Sequence, residues 1–278
     1  MVVLGRLRGR RLRVLLLAGL VFVVVGVAVL LHGSGGGGGV GIVAGLTPRA
    51  LYYDPLWRNY PNETLVDLVV EELGRAGYRV DVVLGSDAGL LEIDVMDGYS
   101  IVIIRSHGAY SNGSLGPRGP YIYTGLLVEE AEEEYGGRID VMLSQGMAAQ
   151  AVIPPEGPLV PVPEEELVGL PRYLAVGPGY FNATPYYFNN TVILVASCYS
   201  MGDEYVDPVI GEILASKGAS GYAGFQGVVS WATVDMVIGE YVRLIGSGLD
   251  PLTALERLED LPPDPVGGGR IVVYTSRV

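Results

Sequence analysis

The sequence predicts a three-layer α/β domain built on a mainly parallel central sheet, preceded by one transmembrane helix. Three observations carry that prediction. From residue 49 onward, short apolar runs alternate with helix-like segments, the rhythm of β-α-β units with right-handed crossovers. The run Ile101 to Ile104 has no polar alternation, which suits a strand covered on both faces. Val14 to Leu31, "VLLLAGLVFVVVGVAVLL", carries no charge and is close to the shortest helix that spans a hydrocarbon core.

The elements follow in chain order. Residues 1–13 hold Arg6, Arg8, Arg10, Arg11 and Arg13, a basic flank that predicts an inside N-terminus and an outside body. The expected localisation is therefore the cell membrane, with a single pass at residues 14–31 and the C-terminal domain outside. A cleaved signal peptide is the rival reading, but the apolar run exceeds a usual signal core and no clear small-x-small site follows it. Residues 32–48, with "HGSGGGGGVG", read as a flexible tether. The folded domain is expected over residues 49–278.

Within it, "RALYYD" (Arg49 to Asp54) is the first expected strand. "NETLVDLVVEELGRAGY" follows as a helix, with Leu65, Leu68, Val69, Leu73 and Ala76 at helical spacing and Gly74 and Gly77 near its end. "YRVDVVLG" and "YSIVIIRSHG" are the second and third strands. After the middle of the chain come the strand "TVILVASC", a helix near Pro208 to Lys217 and the strand "GYAGF". A helix from Thr233 to about Gly246 and the segment "PLTALERL" close the series. Residues 109–190 read as an insertion beside the sheet. It carries the acidic "LVEEAEEEYGG", the solvated face of a helix, the Pro-rich "VIPPEGPLVPVPEEELVGLP", and expected strands at "RIDVML" and "RYLAVG".

Composition narrows the function classes. At 49% hydrophobic and 18% charged, the chain has enough apolar residues for a full core and too few charges for disorder. All 31 acidic residues lie beyond residue 50; past the first thirteen positions, thirteen basic residues remain, so the net charge there is −18. Nucleic acid and anionic lipid are poor partners for such a body. Four Asn-x-Ser/Thr triplets, at Asn62, Asn112, Asn182 and Asn189, would lie on the outer side in the expected orientation. No phosphate loop is present, because "GSGGGGGVG" lacks the preceding strand and the following Lys-Ser or Lys-Thr. One cysteine and one histidine in the body support no metal cluster, and no cofactor is expected.

Those two residues carry the chemistry. His32 sits at the membrane exit, which leaves His107 as the only imidazole of the body, and Cys198 is the only thiol of the chain. Each follows a buried-type strand, so in a parallel sheet both reach the carboxyl edge, where ligand sites of open α/β folds collect. An imidazole beside a thiol takes its proton as the sulfur attacks a carbonyl. Gly108 lets a substrate approach the backbone, and the amides of Gly108 and Cys198 would hold an oxyanion. A buried structural cysteine and a histidine in a hydrogen-bond network are the plain alternative.

"IVIIRSHG" followed by "VILVASC" resembles the paired signature of the caspase-like cysteine peptidases, a group with caspases, legumains, gingipains, separases and CHAT domains. In that family one apolar strand ends in His-Gly and a second in the catalytic cysteine. The stretch "GEILASKGASGYAGFQGVVSWATVDMVIGEYVRLIGSGLDPLTALERL" extends the likeness toward the CHAT and separase pattern. The resemblance covers roughly Arg49 to Thr275 and is poor in the insertion. It implies a caspase-like fold, His107 as general base, Cys198 as nucleophile, and an oxyanion hole at Gly108 and Cys198. It also implies that Asp235 lines a pocket for a basic P1 side chain, with Asp203 as a second candidate and Trp231 in the pocket wall. Asp235 has a structural alternative as a helix N-terminal charge. The Q-A-C-x-G form of caspases is absent, since Ser197 and Tyr199 flank the cysteine, so aspartate specificity is not expected. The expected function is a membrane-anchored, extracytoplasmic cysteine endopeptidase acting on peptide or protein substrates. A non-catalytic binding or scaffold domain on the same fold is the alternative.

Overall fold

The computed structural model describes residues 47–113, 117–153 and 169–275. The basic N-terminus, the expected anchor at 14–31 and most of the tether lie outside these residues. Among the described residues, no helix is long and apolar enough to cross a membrane.

The chain runs through β1 (Arg49–Asp54), α1 (Glu63–Arg75), β2 (Arg79–Leu84), α2 (Leu90–Asp94), β3 (Ile101–Arg105), β4 (Gly108–Ser111) and β5 (Gly119–Leu127). It continues with α3 (Val128–Tyr135), α4 (Gly137–Ser144), β6 (Ala148–Val152), β7 (Arg172–Val176), α5 (Pro178–Ala183) and β8 (Val192–Ala196). The last elements are α6 (Val209–Ser216), β9 (Gly221–Gln226), α7 (Trp231–Gly246), α8 (Pro251–Arg257) and β10 (Arg270–Thr275). Six strands form the central sheet in the order β10-β9-β8-β3-β1-β2, all parallel except β10.

Strand alternation sends successive side chains to opposite faces, and both faces are covered. Ala50, Tyr52, Ile101, Ile103, Val192 and Leu194 pack with Leu65, Val69 and Leu73 of α1 and with the buried side of α7. Leu51, Tyr53, Val102, Ile104, Ile193 and Val195 pack with Leu90, Ala131, Ile139, Phe181 and Ile210 from the helices α2 to α6. A mainly parallel sheet between two helical layers is compatible with the expected three-layer sandwich. Helix α1 starts where Asn62 accepts from the Leu65 amide, and three of its apolar residues are buried at helical spacing.

The insertion differs from its expectation in two places. "RIDVML" is not a strand: it lies in α4, where Ile139 and Met142, three apart, are the buried pair, a helical period rather than an alternating one. "RYLAVG" does form a strand, β7, but as one member of a four-stranded antiparallel sheet, β4-β5-β7-β6. That second sheet begins immediately after His107, so the histidine sits at the junction of the two sheets. Lys217, the chain's single lysine, closes the C-terminal end of α5 by donating from Nζ to the carbonyls of Phe181, Asn182 and Thr184 at 2.9, 2.8 and 2.5 Å.

Candidate active site

Strands β3 and β8 are direct neighbours, and their last paired residues are Arg105 and Ala196. His107 and Cys198 each lie two residues beyond that pair, at the carboxyl edge of the sheet, as the sequence predicts. Main chain meets main chain there: a Cβ on Gly108 would lie 2.0 Å from the Cys198 carbonyl oxygen and 2.9 Å from Ser197 Oγ. Only glycine permits that approach. Just before β4, the His107 carbonyl accepts from the Tyr123 amide of β5, and Gly108 stands opposite Ile122. This pairing directs the Gly108 amide away from β5, on the open edge of that sheet.

Three aromatic rings surround the imidazole. Trp231, the first residue of α7, meets it edge to face at 4.6 Å between ring centroids; Tyr123 and Tyr60 lie at 5.7 and 6.1 Å. Nε2 of His107 is buried without a hydrogen-bond partner. Burial, and then the nearby Arg105 charge, pushes its pKa down from 6.5 to about 3. The ring is therefore neutral at physiological pH.

The thiol has main-chain partners. Cys198 Sγ lies 3.4 Å from both the Val229 carbonyl, which accepts from it, and the Val229 amide, which donates to it. Burial raises its pKa above the ordinary 9.0; the Val229 amide and the cysteine's own amide oppose that rise, and the Asp264 charge adds to it. Among the described residues, no hydrogen bond joins His107 to the sulfur. The turn beyond the cysteine is tight: Tyr199 has φ 59°, a left-handed conformation that costs a non-glycine residue about 1–3 kcal/mol and concentrates at functional sites. Ser200 Oγ holds that turn by donating to the Val195 and Ser197 carbonyls at 2.9 Å and accepting from the Phe225 amide at 2.8 Å.

No family model and no curated protein matches this chain.

Beneath the histidine lies a charge network that the sequence reading passed over. Arg105, with 1% of its surface exposed, donates to Asp54 at 3.1 and 3.2 Å, to the Tyr60 carbonyl at 3.0 Å and to Asp235 at 2.6 and 3.3 Å. Asn62 Nδ2 donates to the same Asp235 carboxylate at 2.8 Å. The Asp235 charge is thus matched inside the protein, and its carboxylate joins α1, β3 and α7. Burial lifts Asp54 to about 6, although Arg105 opposes the rise. The signal was present in "IVIIRSHG": an arginine closing an apolar strand demands carboxylates around it.

Asp203 is exposed and lines a cavity of about 240 Å³ with Gln226, Gly227, Arg270 and the glycines 267 to 269. This cavity adjoins the cysteine turn, because the Tyr199 amide donates to the Gly227 carbonyl at 2.8 Å. Trp231 packs edge to face against the His107 ring. Among the described residues, no group of three or more His, Cys, Asp or Glu is arranged to hold a metal ion.

Proposed function

We propose that the chain is a cysteine-type endopeptidase with a caspase-like domain, in which Cys198 is the nucleophile and His107 the general base. The observation that carries this reading is that the adjacent strands β3 and β8 deliver the neutral His107 and the chain's only thiol to the same sheet edge. On substrate binding, the thiol releases the Val229 carbonyl and passes its proton to Nε2 as the sulfur attacks the scissile carbonyl carbon. The sulfur–carbon bond forms as the carbonyl π bond opens, and the Gly108 and Cys198 amides receive the oxyanion. The proton then moves from His107 to the leaving amine, and water hydrolyses the thioester.

Two further parts belong to the same reading. The domain is anchored by residues 14–31 and faces outward. A basic P1 side chain is favoured by Asp203, which opens on the cavity beside the cysteine, whereas the Asp235 carboxylate is engaged by Arg105 and Asn62. The lack of a His107–Cys198 hydrogen bond among the described residues favours a second reading, a non-catalytic binding domain. Full-length protein in detergent, under reducing conditions, is to be tested on peptides with Arg or Lys at P1. Cleavage that disappears in Cys198→Ala and His107→Ala is the expected result. Native protein that neither cleaves nor reacts with thiol-directed electrophiles rules the peptidase out and leaves the binding domain.

A further inference from the structure

Val229 meets Cys198 with both of its main-chain polar groups, and these favour opposite states of the sulfur. The carbonyl suits the protonated thiol, and the amide suits the thiolate. What fixes Val229 is a turn that follows α8. Gly269 N donates to the Val228 carbonyl at 2.8 Å, and Asp264 N donates to the Gly269 carbonyl at 2.7 Å. A Cβ at Gly267 or Gly269 would come within 2.4 or 2.3 Å of the Val228 oxygen, so the turn presses directly on the residue before Val229.

The Asp264 side chain ties this turn to the residue after Val229. It is 3% exposed, yet it plays no part in the proton transfers above. Its Oδ2 accepts from Ser230 N at 3.0 Å and from Ser230 Oγ at 2.5 Å. Its Oδ1 accepts from Val266 N at 2.9 Å and from Gly267 N. Burial would raise this carboxyl, but the Gly267, Ser230 and Thr233 donors outweigh it and hold it well below the usual range. Val229 is therefore gripped on both sides by groups that one carboxylate connects.

We infer that Asp264 is a positioning residue for Cys198: by joining Ser230 to the Gly267 turn, it sets the Val229 amide on the sulfur. The inference rests on Cys198 being the reacting thiol of the proposed enzyme. It assigns Asp264 no contact with substrate.

The carboxylate has two effects on the sulfur, of opposite sign. Its negative charge disfavours the thiolate, and the amide it positions favours the thiolate. Asp264→Asn removes the charge and one acceptor oxygen. A purely electrostatic carboxylate would then give a more acidic thiol, whereas a positioning carboxylate gives a less acidic one.

The test is the rate of iodoacetamide alkylation against pH, on full-length protein in detergent, for the native chain, Asp264→Asn and Ser230→Ala. Because the chain has one cysteine, the modified mass reports that site alone. The expected result is an alkaline displacement of the profile in Asp264→Asn, with alkylation at pH 8 slowed about threefold to tenfold, the net worth of one ordinary hydrogen bond. Ser230→Ala keeps the carboxylate charge, removes one of its donors and moves the profile the same way. It serves as the deciding variant if Asp264→Asn does not fold. A displacement to lower pH, or none in the variants that fold, overturns the inference. Alkylation needs no peptide cleavage, so an alkaline displacement in an inactive protein supports the positioning role while the peptidase reading falls.

Discussion

A methyl group on Gly108 would lie 2.0 Å from the carbonyl oxygen of Cys198. The strand ends that deliver the imidazole and the thiol are thus in backbone contact, and no side chain fits between them. Gly108→Ala forces them apart. Overpacking of this kind costs about 1–3 kcal/mol. Urea denaturation of the variant is expected to show that loss, with faster alkylation of Cys198 by iodoacetamide as the site opens.

His107 makes folding sensitive to acid. Its pKa of about 3 lies below the ordinary 6.5, so the unfolded chain binds a proton that the folded chain refuses. The stability it supports is complete above pH 6.5 and is lost as pH falls from 6.5 toward 3. Asp54, raised from 3.8 to about 6, acts with the opposite sign, losing stability as pH rises through that range. Denaturation midpoints of native protein and His107→Gln at several pH values isolate the histidine: their difference is expected to change steadily between pH 6.5 and 4. An unchanged difference would show that the imidazole is solvated.

Among the described residues, removal of Asp54 leaves the buried Arg105 with Asp235 as its one carboxylate partner. Breaking a buried pair from one side costs about 3–5 kcal/mol, because the remaining charge stays desolvated. Asp54→Ala is expected to lose that much in urea denaturation. Asp235→Ala should lose less, since the Asp235 side chain is 23% exposed and water can replace it, whereas Asp54 is fully buried.

Lys217 bonds three carbonyls where α5 ends. Lys217→Met keeps the length of the stem and removes every donor. A loss of about 1–2 kcal/mol is expected, the net worth of charged hydrogen bonds at a half-exposed site. Calorimetry reads it as a lower Tm, and an unchanged Tm would mean that water serves those carbonyls equally well.

The sequence made the central sheet legible because its signals are local. "RALYYD" is β1 end to end, and the uninterrupted apolar runs of β3 and β8 led to His107 and Cys198 at one edge. Signals that depend on distant partners were not legible. "RIDVML" suits a strand by composition, and only its packing through Ile139 and Met142 makes it helical. The antiparallel sheet from β4 to β7 depends on pairings between segments up to 54 positions apart in sequence, such as Ile122 with Val176. Asp235 lies in α7 beyond its first turn, not at the helix N-terminus, and nothing nearby in the chain announced that Arg105, 130 positions earlier, would engage it. Asp264 gave no sign at all, because its partners are main-chain amides and the hydroxyls of Ser230 and Thr233.

Among the described residues, both hydrogen bonds that join Cys198 Sγ to another residue go to the backbone of Val229. An alanine scan would therefore pass over these hydrogen-bond partners of the thiol, since every residue type at position 229 except proline brings the same amide and carbonyl. Chemical synthesis reaches what mutagenesis does not: an ester in place of the 228–229 amide bond deletes the donor and leaves every side chain as it was. The acidity of Cys198 is in this sense written into the path of the chain rather than into its alphabet.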